Sequence, residues 1–595
     1  MARPDLITRF LKWRLRHLSN QSFILILSGV IGVLSGLAAV VLKETVHSIQ
    51  NFLTADFYAE YANFMYILYP LIGITLAYLV GKYIFNDFGG HGIPDVLFNI
   101  SKNNSIVPRV KSISRLVTSA LTVGFGGSVG LEAPMVVTGA AIGSNTGSLM
   151  HLNAKKRTLL IGCGAAGAIS SIFGAPIGAV IFAIEVILLE ISTTSFIPLL
   201  IASVMGSLTS MVLIGNDSLF NFNLVDSFKA AHMPYYLVLA ILCGFVSLYF
   251  TRAVHYTERF MTRFEGQTMK LLYGGAFLGF MVFFFPPIYG EGYNTLNTLI
   301  EGNPLSILET SPFFSAFDSP ALFIVFLTII VLLKPIASAI TLGSGGSGGV
   351  FAPSLFAGGI LGFAFAYAKN QFGFHIPLPL ASFTMVAMCG LMSGVQHAPL
   401  SAIFLIAEIT GGYELFIPLM FVSAISYVTT SYYQKDSLYI LQLRDQGKSL
   451  DSSRDQEVLN LISISHVIEK DLHPVSPDAK LSELISLVKV SKRNIFPVVD
   501  DDEHLRGIIT LDDIRGIMFD EAKRDSVLIK DLMHSPPEVL LATENMQSVM
   551  AKFEKSGAWN LPVINEEKYL GFISKSRIFN AYRKKLIRQR LNERA

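Results

Sequence analysis

Charged residues are scarce in this chain of 595 residues. Asp, Glu, Lys and Arg make up 15% of it, against 51% hydrophobic residues, and the mean hydropathy is +0.51. Soluble globular proteins carry about 25% charged residues. The deficit excludes a single soluble enzyme, a disordered protein and a fibrous repeat. The net charge of +2 is too small to indicate nucleic-acid binding.

Cysteine is also nearly absent. The chain has three, Cys163, Cys243 and Cys389, and each lies in apolar surroundings. No pair has the spacing of a metal site, and three cysteines do not suggest a disulfide framework. We expect all three to be buried small apolar residues.

The scarcity of charge is confined to one part of the chain. Residues 446–595 hold 46 of the 90 charged residues, about 31% of that segment, and residues 1–445 hold the other 44, about 10%. The sequence therefore predicts a membrane domain over 21–445, a linker over 446–462 and a soluble tail.

The N-terminus does not have the pattern of a cleavable signal. An uncharged run of 25 residues, Leu18–Leu42, is longer than a signal-peptide core and long enough to span a bilayer. Basic residues precede it, namely Arg3, Arg9, Lys12, Arg14 and Arg16. They predict a cytoplasmic segment over 1–20, and we expect the tail to be cytoplasmic as well.

The membrane part is an internal duplication. Gly126–Pro134 matches Gly345–Pro353 at an offset of 219 residues. Downstream, Ala175-Pro176 with Glu185 matches Ala398-Pro399 with Glu408 at an offset of 223. We interpret the copies as repeats of about 21–215 and 235–440. Interrupted apolar segments at matching places in two halves are typical of a transporter site.

The matched blocks suit a loop that enters a helix. Glycines followed by Ala-Pro favour a helix start, whose first-turn N–H groups are free. Two such starts meeting in the membrane would hold an anion without a full cation. Glu132 is the charge at this place, and an intramembrane carboxylate indicates a functional site. The alternative is that Glu132 only caps its helix.

These residues resemble the CLC family of chloride channels and chloride/proton exchangers, in its prokaryotic type with a C-terminal pair of CBS domains. Gly90-His91-Gly92-Ile93-Pro94 is similar to the family's G-S-G-I-P. Gly130–Pro134 is similar to G-[KR]-E-G-P, and Gly349–Pro353 to G-x-F-x-P. Tyr439 stands where the family has its pore tyrosine.

The resemblance implies an all-α polytopic membrane fold with two inverted repeats of broken helices, followed by an α+β CBS pair. It implies a homodimer with one chloride pore per subunit, in the lipid bilayer of a bacterial plasma membrane. Glu132 would be the gate. The anion-binding residues would be His91, Gly92, Ile93, Leu131, Val350, Phe351 and Tyr439. No cofactor is required by this reading.

Two positions depart from the family pattern. His91 replaces a serine that donates to the anion, so the preference for chloride is less firmly predicted. Val186 replaces the inner glutamate that carries protons in many exchangers. We therefore expect passive, channel-like transport gated by voltage or pH. The alternative is a chloride/proton antiporter with another inner route for protons. Glu185 is the first candidate for that route and His91 the second, although we expect Glu185 to be a structural helix-end carboxylate.

The tail is also duplicated. Asn494–Val499 with Leu505–Thr510 recurs as Asn560–Ile564 with Tyr569–Ser574, which predicts two CBS domains over 463–525 and 526–595. Such pairs often bind ATP, ADP or AMP. The expected nucleotide-binding residues are Gly507, Thr510, Asp513 and Ser574. The second copy has Arg577 in place of the aspartate, so at most one complete site is expected. A purely structural dimerisation module is the alternative.

The sequence disfavours two other functions. Gly126–Gly130 and Gly345–Gly349 both match the G-x-S-x-G pattern of hydrolases, but that pattern needs a strand-to-helix turn in a soluble sheet. A CBS-linked cation transporter would need several acidic groups in its pore. Neither an enzyme nor a metal site is expected.

Overall fold

The computed structural model describes residues 6–54, 62–87, 92–188, 195–215, 228–301, 304, 306–309, 311, 319–373, 376–411, 414–448, 459, 462–491 and 493–594. The chain divides into two compact units, Met1–Lys448 and Ser449–Ala595.

The first unit is built of helices. In chain order they are α1 (Leu6–His17), α2 (Asn20–Thr54), α3 (Ala62–Leu79), α4 (Ile93–Lys102), α5 (Lys111–Gly124), α6 (Glu132–Leu149), α7 (Ala154–Phe173), α8 (Pro176–Phe182), α9 (Phe196–Ile214), α10 (Met233–Thr262), α11 (Gln267–Phe284), α12 (Tyr293–Ile300), α13 (Ser306–Glu309), α14 (Pro320–Gly343), α15 (Phe351–Gln371), α16 (Leu380–Gln396), α17 (Pro399–Ile409), α18 (Phe416–Tyr433) and α19 (Leu438–Asp445). Short π-helical turns extend α3 and α8, at Val80–Ile84 and Ala183–Ile187. Single 3₁₀ turns lie at Ala230–His232 and Pro286–Ile288.

Several of these helices have the length of a membrane span. Among the described residues, seven are long and apolar enough to cross a bilayer: Asn20–Leu53, Phe64–Ile84, Phe196–Ile214, Ala230–Thr262, Gln267–Phe284, Pro320–Gly343 and Phe351–Gln371. Shorter apolar helices lie between them, at Pro176–Ile187, Leu380–Gln396 and Pro399–Ile409. A mixture of full-length and short apolar helices is what the interrupted runs predict.

Glycine allows the helices of each repeat to pack closely. A Cβ atom on Gly139 of α6 would overlap the carbonyl of Gly164 on α7. In the second repeat, a Cβ on Gly362 of α15 would overlap the carbonyl of Phe383 on α16. Apolar helices in lipid associate through such close backbone contacts, because burial from water does not drive them together. The α6–α7 and α15–α16 pairs are thus equivalent contacts in the two repeats.

The two repeats bond to each other through equivalent residues. Gly130 and Gly349, which are 219 positions apart, exchange backbone hydrogen bonds of 2.8 and 2.9 Å. The Ser128 N–H donates to the Thr341 hydroxyl at 3.2 Å, and in return the Ser347 N–H donates to the Thr122 hydroxyl at 3.0 Å. Reciprocal bonds between equivalent residues are the mark of a local two-fold relation. The duplication predicted from the sequence is therefore present in the fold.

The second unit contains two similar α+β modules. Its elements are α20 (Ile464–Val467), α21 (Leu481–Val490), β1 (Ile495–Val499), β2 (Leu505–Thr510), α22 (Leu511–Ile514), α23 (Glu521–Arg524), β3 (Leu540–Leu541), α24 (Met546–Ser556), β4 (Asn560–Asn565), β5 (Lys568–Ser574) and α25 (Lys575–Arg594), with a 3₁₀ turn at Ile529–Asp531. β1 pairs antiparallel with β2, and β4 pairs antiparallel with β5 and parallel with β3. The predicted order of strand, strand and helix is found in both copies.

The two modules also exchange equivalent bonds. The Ile508 N–H of β2 donates to the His534 carbonyl at 2.9 Å, and the Phe572 N–H of β5 donates to the Glu469 carbonyl at 3.1 Å. Each module has its own apolar core, one around Phe496 and Ile509 and the other around Leu561 and Ile573. β2 is thus bonded to the opening segment of the second module, and β5 to the opening segment of the first.

Candidate anion site at the paired helix starts

Three helices of the first unit begin next to one another. α6 starts at Glu132 and α15 at Phe351, directly after the paired glycines Gly130 and Gly349. α4 starts after Gly92, where a Cβ atom would lie 3.3 Å from the Cβ of Ala133 in the first turn of α6. Each first turn leaves backbone N–H groups without helical partners. The N-terminal ends of the three helix dipoles also carry partial positive charge, so all three helices contribute the same sign of charge here. The geometry suits a small anion.

The predicted anion-binding residues lie around these helix starts. Gly92, Ile93, Leu131, Val350 and Phe351 occupy the last loop position or the first helical position of α4, α6 and α15. The Phe351 ring packs against Phe173 and Phe182, at centroid distances of 5.4 and 5.9 Å, so its backbone is fixed by aromatic contacts. His91 lies outside the described residues.

Tyr439 lies near the C-terminal end of the first unit in the sequence. It is the second residue of α19, which packs against α4, and its side chain is buried. Within the part of the chain that the structure describes, its hydroxyl has no hydrogen-bond partner. Glu132 is near enough to act on it electrostatically. A buried hydroxyl with a spare proton is the kind of donor that an anion uses.

Glu132 is completely buried between the two loops. Its Oε1 accepts a hydrogen bond of 2.8 Å from the Tyr293 hydroxyl. Its Oε2 lies against Gly130, and the Ala352 amide at the start of α15 faces the carboxylate. The N-cap position of α6 is held by Leu131 rather than by Glu132. The carboxylate therefore lies between the α6 and α15 starts, where an anion would compete with it.

Three residues near Glu132 were missed by the sequence analysis. They are Tyr293, Glu291 and Lys334. Glu291 is partly accessible, and its Oε1 accepts a 3.0 Å bond from the Leu131 N–H. Lys334 of α14 is fully buried and donates to the carbonyls of Ile288 and Gly290 at 3.1 and 2.8 Å. The signal for the two charged residues was their position in apolar segments, since ionisable groups there are costly.

The two glutamates matched by the second block have a structural role. The Glu185 carboxylate accepts from the Leu400 and Ser401 N–H groups at 3.2 and 2.7 Å, and from the Ser401 hydroxyl at 2.6 Å. In return, the Glu408 carboxylate accepts from the Ile177 and Gly178 N–H groups at 3.0 and 2.6 Å. Each glutamate caps the short apolar helix of the other repeat. The prediction that Glu185 is a structural helix-end carboxylate is confirmed.

The hydrolase alternative does not fit the geometry. Ser128 follows helix α5 instead of a strand, and its hydroxyl donates to the Ile288 carbonyl at 2.8 Å. A nucleophile elbow requires a strand-to-helix turn with a free serine oxygen. The glycines of both motifs instead serve the pairing of the two loops.

The comparison with protein families shows which family this chain belongs to. The sequence model described as voltage gated chloride channel matches residues 72–431, more than half of the chain. The chain belongs to the voltage gated chloride channel family, the CLC proteins. The model of the CBS domain matches residues 464–520 and 529–584. This CLC protein is thus an anion transporter of the membrane with a C-terminal CBS pair, as the resemblance implied.

Related proteins include both channels and exchangers. The chloride channel protein CLC-f of Arabidopsis thaliana is 26% identical, over 96% of this chain and 82% of its own length. The putative chloride channel protein ClcB-like of Ralstonia nicotianae is 27% identical over 70% of this chain and 95% of its own. The H(+)/Cl(−) exchange transporter ClcA of Salmonella typhi is 28% identical over 67% of this chain and 83% of its own.

Solved structures share the fold. A slow cyanobacterial Cl⁻/H⁺ antiporter superposes with a TM-score of 0.62 at 22% identity, covering 73% of this chain and 99% of that one. A eukaryotic CLC transporter superposes with a TM-score of 0.59 at 18% identity, covering 94% and 99%. The predicted fold class, a helical CLC domain followed by a CBS pair, is confirmed.

The CBS pair distributes the predicted nucleotide residues over two places. Thr510 donates to Asp513 Oδ2 through its N–H and its hydroxyl, both at 2.7 Å, and His534 Nε2 lies 3.2 Å from the same oxygen. Gly507, where a Cβ would lie 2.9 Å from the His534 carbonyl, borders this cluster. Ser574 occupies the equivalent position of the second module, where it donates to Glu469 at 2.8 Å. The two clusters therefore occupy equivalent positions in the two modules.

The electrostatics of Asp513 favour its ionised form. Partial burial raises the pKa of this carboxyl, but the two Thr510 donors and the nearby His534 outweigh burial and hold the pKa below its usual value. An ionised aspartate is an acceptor through both of its oxygens. In the second module, Arg577 stands at the matching position and its N–H donates to the Ser574 hydroxyl at 3.2 Å.

Proposed function

We propose that this CLC protein conducts chloride passively through the site formed by the starts of α4, α6 and α15, and that Glu132 gates it. The observation that carries the proposal is the position of the buried Glu132 carboxylate, beside Gly130 and facing the Ala352 amide. An ionised carboxylate there takes the donors that chloride needs. Protonation, or displacement by an anion, would free them.

Passive transport is supported by the residues on the α8 side of the site. Val186 stands in the π-helical turn that follows α8, and a valine cannot carry a proton. The neighbouring Glu185 is held by three donors from the start of α17. A carboxylate fixed as a helix cap is poorly suited to move protons. Its role as first candidate for another inner route is therefore weakened.

Proton exchange is the second candidate function, and Glu258 favours it. This glutamate of α10 is buried, and its Oε1 accepts a 2.9 Å bond from Gln442, which lies on the same helix as Tyr439. It borders a cavity of about 330 Å³ that is also lined by Asp87, Arg115 and Asp445. A buried carboxylate between a polar cavity and the pore helix has the chemistry of a proton carrier.

A reversal-potential measurement separates the two functions. In proteoliposomes with equal chloride on both sides, a pH gradient of two units should produce no net chloride movement if transport is passive. Uphill chloride movement would overturn passive transport. If Glu258→Gln then abolished proton movement while chloride movement continued, Glu258 would be the inner carrier. The matched variant Glu265→Gln, in the segment after α10, controls for loss of a carboxylate at that end of the helix.

We infer a homodimer with one pathway per subunit in a bacterial plasma membrane, with both termini in the cytoplasm. The basic residues before α2 support a cytoplasmic N-terminus. We also infer that the first CBS module binds the ribose of an adenine nucleotide through Thr510 and Asp513. The hydrogen-bonded pair of these two residues supports that site.

A further inference from the structure

A three-residue segment before and at the start of α12 contacts both residues at the start of α6. Glu291 accepts the Leu131 N–H at 3.0 Å, and the Tyr293 hydroxyl donates to Glu132 at 2.8 Å. Gly292 between them has φ of +92°, and a Cβ there would lie 2.5 Å from the Phe356 ring. Only glycine suits this backbone and this space. The segment Glu291-Gly292-Tyr293 is called the clamp below.

The clamp is anchored from two sides. Lys334 of α14 donates to the carbonyls of Ile288 and Gly290, directly before the clamp, and its charge is near enough to Glu291 to act on it. Ser128 of the first glycine-rich loop donates to the same Ile288 carbonyl at 2.8 Å. The backbone that carries Glu291 and Tyr293 is therefore tied to α14 and to the loop that leads into Glu132.

We propose that the clamp positions the gate: Tyr293 holds the Glu132 carboxylate in the site, and Glu291 with its counter-charge Lys334 sets how readily that carboxylate takes up a proton. This proposal rests on the proposed function of Glu132 as the gate. Tyr293 stabilises the ionised carboxylate, because a hydroxyl donates best to a charged acceptor. Glu291 acts in the opposite sense, since a negative charge nearby favours the protonated form. Glu291 also occupies the Leu131 N–H, one of the donors at the start of α6.

The charged and titratable groups around the gate come from four other parts of the fold. Glu291 and Tyr293 belong to the clamp, and Lys334 to α14. Lys43 of α2 acts on Glu291, and Tyr439 of α19 lies within the field of Glu132. The substitution of a clamp residue should therefore shift the pH dependence of chloride flux, with a sign set by the charge or the donor that is removed.

Tyr293→Phe tests the donor. Chloride efflux from proteoliposomes would be followed with an electrode while the external pH is varied. We expect the pH of half-maximal flux to rise by about one unit, since the ionised gate loses a hydrogen bond to a charged group. Tyr289→Phe is the matched control. It removes a hydroxyl two residues before the clamp, and that hydroxyl donates to the Gly124 carbonyl at 3.1 Å. An equal shift in both variants, or none in Tyr293→Phe, would overturn the role of Tyr293.

The charged residues Glu291 and Lys334 give a second test, because their substitutions should shift the pH of half-maximal flux in opposite directions. Glu291→Gln should lower the pH of half-maximal flux, because it removes a negative charge and leaves Lys334 unbalanced. Lys334→Met should raise it, and the double variant should lie closer to the wild type than either single variant does. Shifts of the same sign in both single variants would contradict the proposal. Elution as a single symmetric species in size-exclusion chromatography selects variants that have folded.

Measurements in the Glu132→Gln variant distinguish a failure of the clamp proposal from a failure of the proposal that Glu132 is the gate. If Glu132 is the gate, this variant alone abolishes the pH dependence, and adding Tyr293→Phe changes nothing further. If pH dependence survives in Glu132→Gln, the gate assignment fails. If Glu132→Gln abolishes it but Tyr293→Phe on the wild-type chain causes no shift, the gate stands and the clamp is wrong.

Discussion

At the scale of single residues, the site is defined by charges that an apolar environment makes costly. Glu132 and Lys334 are fully buried in a domain where about one residue in ten is charged. Each has a specific partner, Tyr293 for Glu132 and two backbone carbonyls for Lys334. Buried ionisable groups in such surroundings are costly without partners of this kind, so both residues are candidates for a function.

Glu132→Gln should raise basal chloride flux. The amide keeps the size of the side chain but removes the negative charge that competes with chloride. The charge of the competing carboxylate stabilises the closed state by about 1.5–3 kcal/mol, so its removal should raise the open population about tenfold or more. Chloride efflux from proteoliposomes at pH 7.5 measures this. Glu414→Gln, at an exposed position after α17, is the control. Equal chloride flux in the two variants and the wild type would contradict the role of Glu132 as the gate.

The sequence predicted the helix starts at this site but not the clamp. The blocks Gly126–Pro134 and Gly345–Pro353 predicted both loops, since glycine and Ala-Pro signal a loop that enters a helix. The bonds from Tyr293 to Glu132 and from Leu131 to Glu291 join residues about 160 positions apart. No local pattern encodes a contact of that separation. Charge in an apolar segment would have pointed to Glu291 and Lys334, but not to their partners.

At the scale of elements, short helices are held by capping across the repeat boundary. α8 and α17 have few turns of their own, and isolated helices of that length are marginal. Glu408 caps α8, and Glu185 caps α17. The sequence indicated this role because Glu185 and Glu408 recur nine residues after equivalent Ala-Pro pairs. It did not indicate that each glutamate serves the opposite repeat.

Glu185→Gln and Glu408→Gln should destabilise the CLC domain by similar amounts. Each replaces a charged acceptor of two helix-start N–H groups by a neutral side chain, at a cost of about 1 kcal/mol. Thermal unfolding of the detergent-solubilised protein measures the loss, again with Glu414→Gln as control. Chloride flux in the folded fraction should be unchanged. A Glu185→Gln variant with full stability and altered proton movement would instead make Glu185 a proton carrier.

Asp513→Ala should abolish nucleotide binding by the CBS pair. Calorimetry on the full-length protein with ATP, ADP and AMP measures binding, and Asp512→Ala, an exposed neighbour, is the control. Because the folded-state pKa of Asp513 lies below its usual value, its stabilising bonds are present above about pH 4 and are lost as the pH falls through the folded pKa. Wild-type binding should therefore persist at pH 5. Absence of binding by the wild type at any pH would favour a purely structural CBS pair.

At the scale of the whole molecule, one design recurs in both units. Each is a duplication whose copies exchange equivalent bonds, Gly130 with Gly349 in the CLC domain and the Ile508–His534 and Phe572–Glu469 pairs in the tail. In each, a carboxylate proposed to act in the site stands in one copy only. Glu132 has Phe351 as its equivalent, and Asp513 has Arg577. Symmetric scaffolds thus carry asymmetric sites.

The distribution of site residues predicts how a dimer would conduct. The starts of α4, α6 and α15, the α19 residue Tyr439 and the clamp all come from one chain. If these residues of one chain form the whole pathway, each subunit of a dimer should gate independently of the other. Dimers assembled from wild-type and Glu132→Gln subunits with different affinity tags would be isolated in their three combinations and reconstituted. The mixed dimer should carry a basal chloride flux midway between those of the two pure dimers, because one gate is relieved and the other is intact. A pathway shared at the subunit interface would instead give a mixed dimer that resembles one of the pure dimers. It would resemble the wild type if one Glu132 carboxylate is enough to close the shared pathway, and the Glu132→Gln dimer if loss of one carboxylate is enough to open it.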